Sequence, residues 1–219
     1  MLPDPASYRP SRLADLIVET ADGLGIGPFA YVGFSWGASI GVHLGARHAD
    51  RVNALVLLDA GHTDIPGDPE PSLAEMLESV SAQHERYRFD NWDAFLDVAK
   101  ETRPRWRPAL EERLRAGMRE RDGAVVARSD RRAAAAAFHG LLHEQPSSAH
   151  SALGESGLPV LLVLAAQQDT ATEAERFCAA VPQTEVRVVD SGHDLLADAP
   201  AETIALVADW VRSALSLRG

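Results

Sequence analysis

Apolar residues follow two rhythms along this chain. Short, nearly continuous apolar runs at residues 28–33, 52–58 and 159–165 are bounded by turn residues and are too brief for helices, which predicts buried strands. A fourth strand is predicted at 184–189, where Val186, Val188 and Val189 carry the pattern. Helical spacing governs the segments between them. Leu13, Leu16, Ile17, Ala21 and Leu24 recur at helical intervals after Ser11, a candidate N-cap, and the helix should stop near Gly23 or Gly25. A second helix is expected over 36–48, where Gly37, Gly41 and Gly45 share one face and let the backbone approach a sheet closely. Further helices are expected at 171–181 and 201–217.

Strands that are apolar throughout and alternate with helices predict an α/β fold, with a mostly parallel sheet of about four strands covered on both faces. Residues 63–157 break the alternation. They contain no strand-like run but show helical periodicity at 73–87, 92–102, 108–118 and 130–143. The expected organisation is therefore a core from 1–62 and 158–219, with a helical cap inserted at 63–157. Within that cap Trp92 and Trp106 face either a pocket or a small core of their own.

Composition narrows the function classes. The chain has 219 residues, and its 21 Lys and Arg against 32 Asp and Glu leave a net charge of −11, which disfavours general binding to nucleic acid or anionic lipid. No apolar run is long enough to span a bilayer, and residues 1–12 lack the apolar stretch of a signal peptide, so a cytoplasmic chain with no membrane partner is expected. Cys178 is the single cysteine, which excludes an intrachain disulfide and a multi-cysteine metal site. His139 and His143 stand four apart but lack a third ligand, so no metal is expected. One local departure from acidity stands out: residues 103–132 hold ten arginines against five acids, read as a solvated helical face or an anion-attracting lid.

The chemistry-bearing motif is Gly33-Phe34-Ser35-Trp36-Gly37, placed between a predicted strand and a predicted helix. A serine on such a turn is held out at a helix N-terminus, and the glycines on either side remove side chains that would clash. The N–H of Trp36 would then be available to an oxyanion. A hydroxyl needs a base to become a nucleophile, and His193 follows the fourth strand, with His62 after the second strand as the runner-up. An acid to orient the histidine is found in Asp169 beyond the third strand, with Asp59 at the end of the second as the alternative. Phe34 and Trp36 flank the serine, as lining of an acyl pocket or as core.

The elbow GFSWG, the strand RVNALVLLDAG, a helical insertion, the segment PVLLVLAAQQD and the loop SGHDLLADAP together resemble the α/β-hydrolase family over essentially the whole chain. The resemblance implies Ser35 as nucleophile, His193 as base and Asp169 as acid, acting without cofactor on a small ester or amide. The elbow also resembles that of proline-iminopeptidase-like aminopeptidases, against which the arginine-rich cap argues. Family members normally begin with about four further strands and a loop donating a second oxyanion N–H, and residues 4–24 look like the stretch that follows them. Three expectations follow: an oxyanion hole reduced to Trp36, self-association through the exposed edge at Phe29 to Val32 or a start upstream of Met1, and, as an alternative function, an inactive homologue serving in binding or assembly.

Overall fold

The computed structural model describes residues 4–65, 71–103 and 105–216. Its elements run α1 (Pro10–Gly23), β1 (Phe29–Phe34), α2 (Trp36–Arg47), β2 (Val52–Leu58), α3 (Leu73–Arg86), α4 (Trp92–Glu101), α5 (Pro108–Ala116), β3 (Met118–Arg121), β4 (Ala124–Ala127), α6 (Arg131–His143), α7 (His150–Glu155), β5 (Val160–Ala165), α8 (Ala171–Ala180), β6 (Thr184–Val189), α9 (Leu195–Asp198) and α10 (Pro200–Ser216). The four predicted strands form one parallel sheet in the order β1-β2-β5-β6.

Period-two alternation divides the core. Leu55 and Leu57 of β2 and Val160 and Leu162 of β5 point toward α1, α2, α7 and α8, where Val18, Leu44, Leu153 and Phe177 meet them. Val56, Leu58, Leu161 and Val163 point the other way, against Leu195 and the Leu206, Val207, Trp210 stripe of α10. Fully burying side chains of this size contributes about 1.5 to 3 kcal/mol each, so the two layers dominate stability. β1 lies at the sheet edge, and its Val32 is 47% exposed. Among the described residues, no helix is long and apolar enough to cross a membrane.

The glycine face of α2 does what its spacing predicts. A Cβ on Gly41 would stand 2.8 Å from the Tyr31 ring, and one on Gly45 would stand 2.8 Å from Leu153. Tyr31 in turn donates from its hydroxyl to the Gly37 carbonyl at 2.9 Å, and burial pushes its phenol pKa up to about 12.

Several expectations are corrected. Helix α1 starts at Pro10, whose fixed φ suits a first helical position, rather than after a Ser11 cap; the Ser11 N–H instead donates to Glu144 Oε2 at 2.8 Å. The expected last residue of the closing helix, Leu217, lies outside the described residues. The insertion is not purely helical: β3 and β4 form an antiparallel hairpin turned at Asp122 and Gly123, both with positive φ. That hairpin joins α4 around Phe95, Leu96, Met118 and Val125, a separate small core that also takes up Trp92 and Trp106. The end of the insertion belongs with the sheet layers, since Ala149 and Leu153 are part of the main core.

Two outcomes follow. Gly41→Val should destabilise the protein by about 1 to 3 kcal/mol through overpacking, whereas Gly23→Ala, where an added Cβ has nothing within 4 Å, should change little; urea denaturation distinguishes them. His43, His62 and His150 are buried, and desolvation lowers the pKa of each. Their unfolded forms take up protons first as pH falls through about 6.5. Stability should therefore be full above that pH and be lost as pH drops toward the lower folded values, and a non-titrating His62→Gln variant should show a smaller drop between pH 7.5 and 5.5.

Candidate active site

Strand β1 ends in Phe34, and the chain reverses into α2 through Ser35, whose φ of 53° and ψ of −119° lie where few side-chain-bearing residues sit. The turn is tight enough that a Cβ on Gly33 would fall 2.3 Å from the Gly37 carbonyl oxygen, so only glycine fits there. Ser35 N donates to Leu58 O at 3.1 Å, which extends the pairing of β1 with β2 up to the turn. As the first residue of α2, Trp36 has a backbone N–H with no acceptor inside the helix, at the positive end of the helix dipole.

The Ser35 hydroxyl lies 3.0 Å from His193 Nε2. On the other side of the ring, His193 Nδ1 lies 2.8 Å from Asp59 Oδ2. Asp59 sits one residue beyond β2 with φ of 50°, and its side chain is 2% exposed. Its second oxygen, Oδ1, accepts the backbone N–H of Ala165 at 2.8 Å, so one carboxylate ties the ends of β2 and β5 to the histidine. The buried anion is thus matched by two donors, which offsets its desolvation.

The expectation for Asp169 is corrected. It lies four residues past the end of β5, is exposed, and makes no hydrogen bond to His193; the contact belongs to Asp59, the alternative position. Both acids follow strands that neighbour each other in the sheet, but only Asp59 is turned inward by its backbone. His62 is 3% exposed and makes no hydrogen bond to the serine, with neither ring nitrogen paired at normal hydrogen-bond geometry.

The two flanking aromatics diverge. The Phe34 ring packs against the His193 ring with centroids 5.1 Å apart. Trp36 instead lines an apolar pocket of about 400 Å³ together with Tyr8 and Ala133, Ala137 and Phe138 of α6. That volume lies in the range of small-molecule sites.

The loop that carries His193 is gripped by the insertion. Arg105 pairs with Asp190 at 3.1 Å and also donates to its carbonyl, and Arg113 pairs with Asp194 at 2.9 Å. Arg107 reaches Asp198 O at 3.5 Å, and Asp198 Oδ2 accepts the Gly192 N–H at 2.8 Å. These arginines are neighbours of the candidate site that residue-by-residue reading of the sequence does not single out. Their signal was the local excess of arginine, part of which is now accounted for by acids on the histidine loop.

A serine, an imidazole and a carboxylate in this line can activate a hydroxyl for attack. An Asp59→Asn side chain must keep its oxygen on the Ala165 N–H, which turns its NH2 toward His193 Nδ1. The ring is then forced into the tautomer protonated at Nε2, which cannot take the serine proton. The rate of Ser35 phosphonylation by a fluorophosphonate should fall by about 10⁴ in Asp59→Asn and stay near wild type in Asp169→Asn, measured by timed intact-mass spectrometry.

The family model described as the alpha/beta hydrolase fold matches residues 3–200. No curated protein sequence matches the chain. Among solved structures, E-2-(acetamidomethylene)succinate hydrolase superposes with a TM-score of 0.76 at 21% identity, over 96% of this chain and 76% of that one. An esterase of M. tuberculosis gives 0.70 at 20% identity over 94% and 70% of the two chains. The enol-lactonase of Burkholderia xenovorans gives 0.67 at 18% identity over 94% and 74%. At these identities the likeness is one of fold.

Proposed function

The chain belongs to the alpha/beta hydrolase fold family, and on that premise we propose that it is a serine hydrolase cleaving a small ester or amide through an acyl-enzyme. The observation that carries the reading is the unbroken hydrogen-bonded line from Ser35 through His193 to Asp59, at 3.0 and 2.8 Å. Ser35 Oγ attacks the substrate carbonyl carbon while its proton passes to His193 Nε2. Asp59 holds the ring in the tautomer with hydrogen on Nδ1 and stabilises the imidazolium that forms. The carbonyl oxygen becomes an oxyanion within reach of the Trp36 N–H. Collapse of the tetrahedral intermediate expels the alcohol or amine, which takes the proton from Nε2. Water then attacks the acyl-enzyme with His193 as base, and the acid leaves as Ser35 recovers its proton.

The apolar pocket beside Trp36 supports an acyl group as the part of the substrate held next to the nucleophile. No step calls for a cofactor. The hydrolase names carried by its structural neighbours point to the same reaction class.

Labelling of purified protein with a fluorophosphonate should give a single adduct by intact mass that is absent in Ser35→Ala and in His193→Ala. Folded wild-type protein that takes no label would overturn the reading and leave a binding or assembly role in its place.

A further inference from the structure

Ten arginines crowd residues 103–132, and the structure divides them. Arg105 and Arg113 are spent on the histidine loop, and Arg115 pairs with Glu111 while lying over the Trp92 ring. Four of the others gather elsewhere. Arg119 and Arg121 on β3 and Arg131 and Arg132 at the start of α6, with Arg88 just past α3, line one cleft of about 540 Å³. Asp122 and Asp130 are the acids in that lining, so the cleft is strongly cationic in a chain whose net charge is −11. Asp130 is committed to capping α6, where its carboxylate accepts the N–H groups of Arg132 and Ala133 at 2.9 Å.

Pairing inside the cleft is incomplete. Arg131 meets Glu85 and Arg121 meets Asp122, but among the described residues no carboxylate lies within 4.0 Å of Arg88, Arg119 or Arg132. These guanidiniums are exposed, so water screens their mutual repulsion, and an anion shared between them would relieve what remains; guanidinium forks match phosphate oxygens two at a time. Burial and the nearby Arg131 charge lower the His84 pKa, in keeping with the positive potential there.

Position gives the cleft its meaning. Ser129 and Asp130 line both the cationic cleft and the apolar pocket that ends at Trp36, so the two are neighbours. We propose that the arginine cleft is a phosphate-binding subsite for the substrate's leaving group, so that the enzyme acts on acyl esters or thioesters whose alcohol or thiol carries phosphate groups. The acyl chain occupies the pocket beside Trp36 and the phosphates engage Arg88, Arg119 and Arg132. For a thioester, the carbon–sulfur bond breaks, Ser35 Oγ takes the acyl group, and the thiol leaves with the proton from His193; water then releases the acid. The proposal rests on the serine-hydrolase reading.

Two measurements test it, and the first does not depend on turnover. Inorganic pyrophosphate titrated calorimetrically into wild-type protein should bind, with affinity falling as salt is added, and the Arg119→Ala/Arg132→Ala variant should bind at least tenfold more weakly. An Arg88→Ala variant gives an independent check on a different element. The second compares kcat/KM for hexanoyl-coenzyme A with that for the neutral hexanoyl thioester of N-acetylcysteamine; the preference for the charged substrate should fall at least tenfold in the double variant. Wild-type protein that ignores pyrophosphate, or variants that leave both the affinity and the preference unchanged, would overturn the proposal. Absence of fluorophosphonate labelling strikes the hydrolase reading and with it the leaving-group role, whereas the pyrophosphate measurement still decides on its own whether the cleft binds phosphate.

Discussion

Everything at the site hangs on one buried carboxylate. Asp59 is 2% exposed at its side chain, a position costly for an anion unless each oxygen finds a donor. One oxygen takes the Ala165 N–H and the other takes His193 Nδ1. Because Ala165 closes β5 and Asp59 follows β2, the sheet itself fixes where the carboxylate stands. The histidine, itself exposed on a loop that the insertion's arginines hold at Asp190 and Asp194, takes the orientation of its ring from that fixed point. Removing either donor would leave the charge half matched, which is why the strands and the line from Asp59 through His193 to Ser35 form a single unit.

Ser35 depends on a second constraint of the same kind. Ser35 adopts its unusual backbone conformation because β1 must feed α2 with almost no turn, and the Gly33 and Gly37 backbones touch where a side chain would stand. The same compression presses α2 onto Tyr31 and Leu55 and buries most of that helix. Strain at the serine is thus held in place by one of the best-packed regions of the core. The insertion adds to the arrangement, since Arg105 and Arg113 fasten the histidine loop at Asp190 and Asp194.

Much of this was legible in the sequence, for physical reasons that differ by element. The four sheet strands emerge within a residue or so of their bounds: β2 and β5 because strands buried on both faces leave little room for polar residues, and the edge strands β1 and β6 because their aromatic and β-branched residues stand between turn residues. The elbow was legible because a strained turn restricts its neighbours to glycine. The hairpin at β3 and β4 was missed because Met118–Arg121 is mostly charged and only one short flank is apolar; the Asp122-Gly123 turn was the available signal. The choice between Asp59 and Asp169 could not be made from order along the chain, because β2 and β5 are adjacent and both acids follow them. It took the positive φ at Asp59, which turns the carboxylate inward. The arginine excess was visible as composition, but its division between a clamp on the histidine loop and an open cleft required knowing which acids fold toward which guanidiniums.

The site turns on the hydrogen bond between His193 and Asp59, and proton NMR observes it directly. The Nδ1–H of a histidine bound to a buried carboxylate resonates far downfield of ordinary amides. Wild-type protein should show one such signal assigned to His193, retained in Asp169→Ala and lost in Asp59→Ala. A signal that survives in Asp59→Ala but disappears in Asp169→Ala would contradict the account.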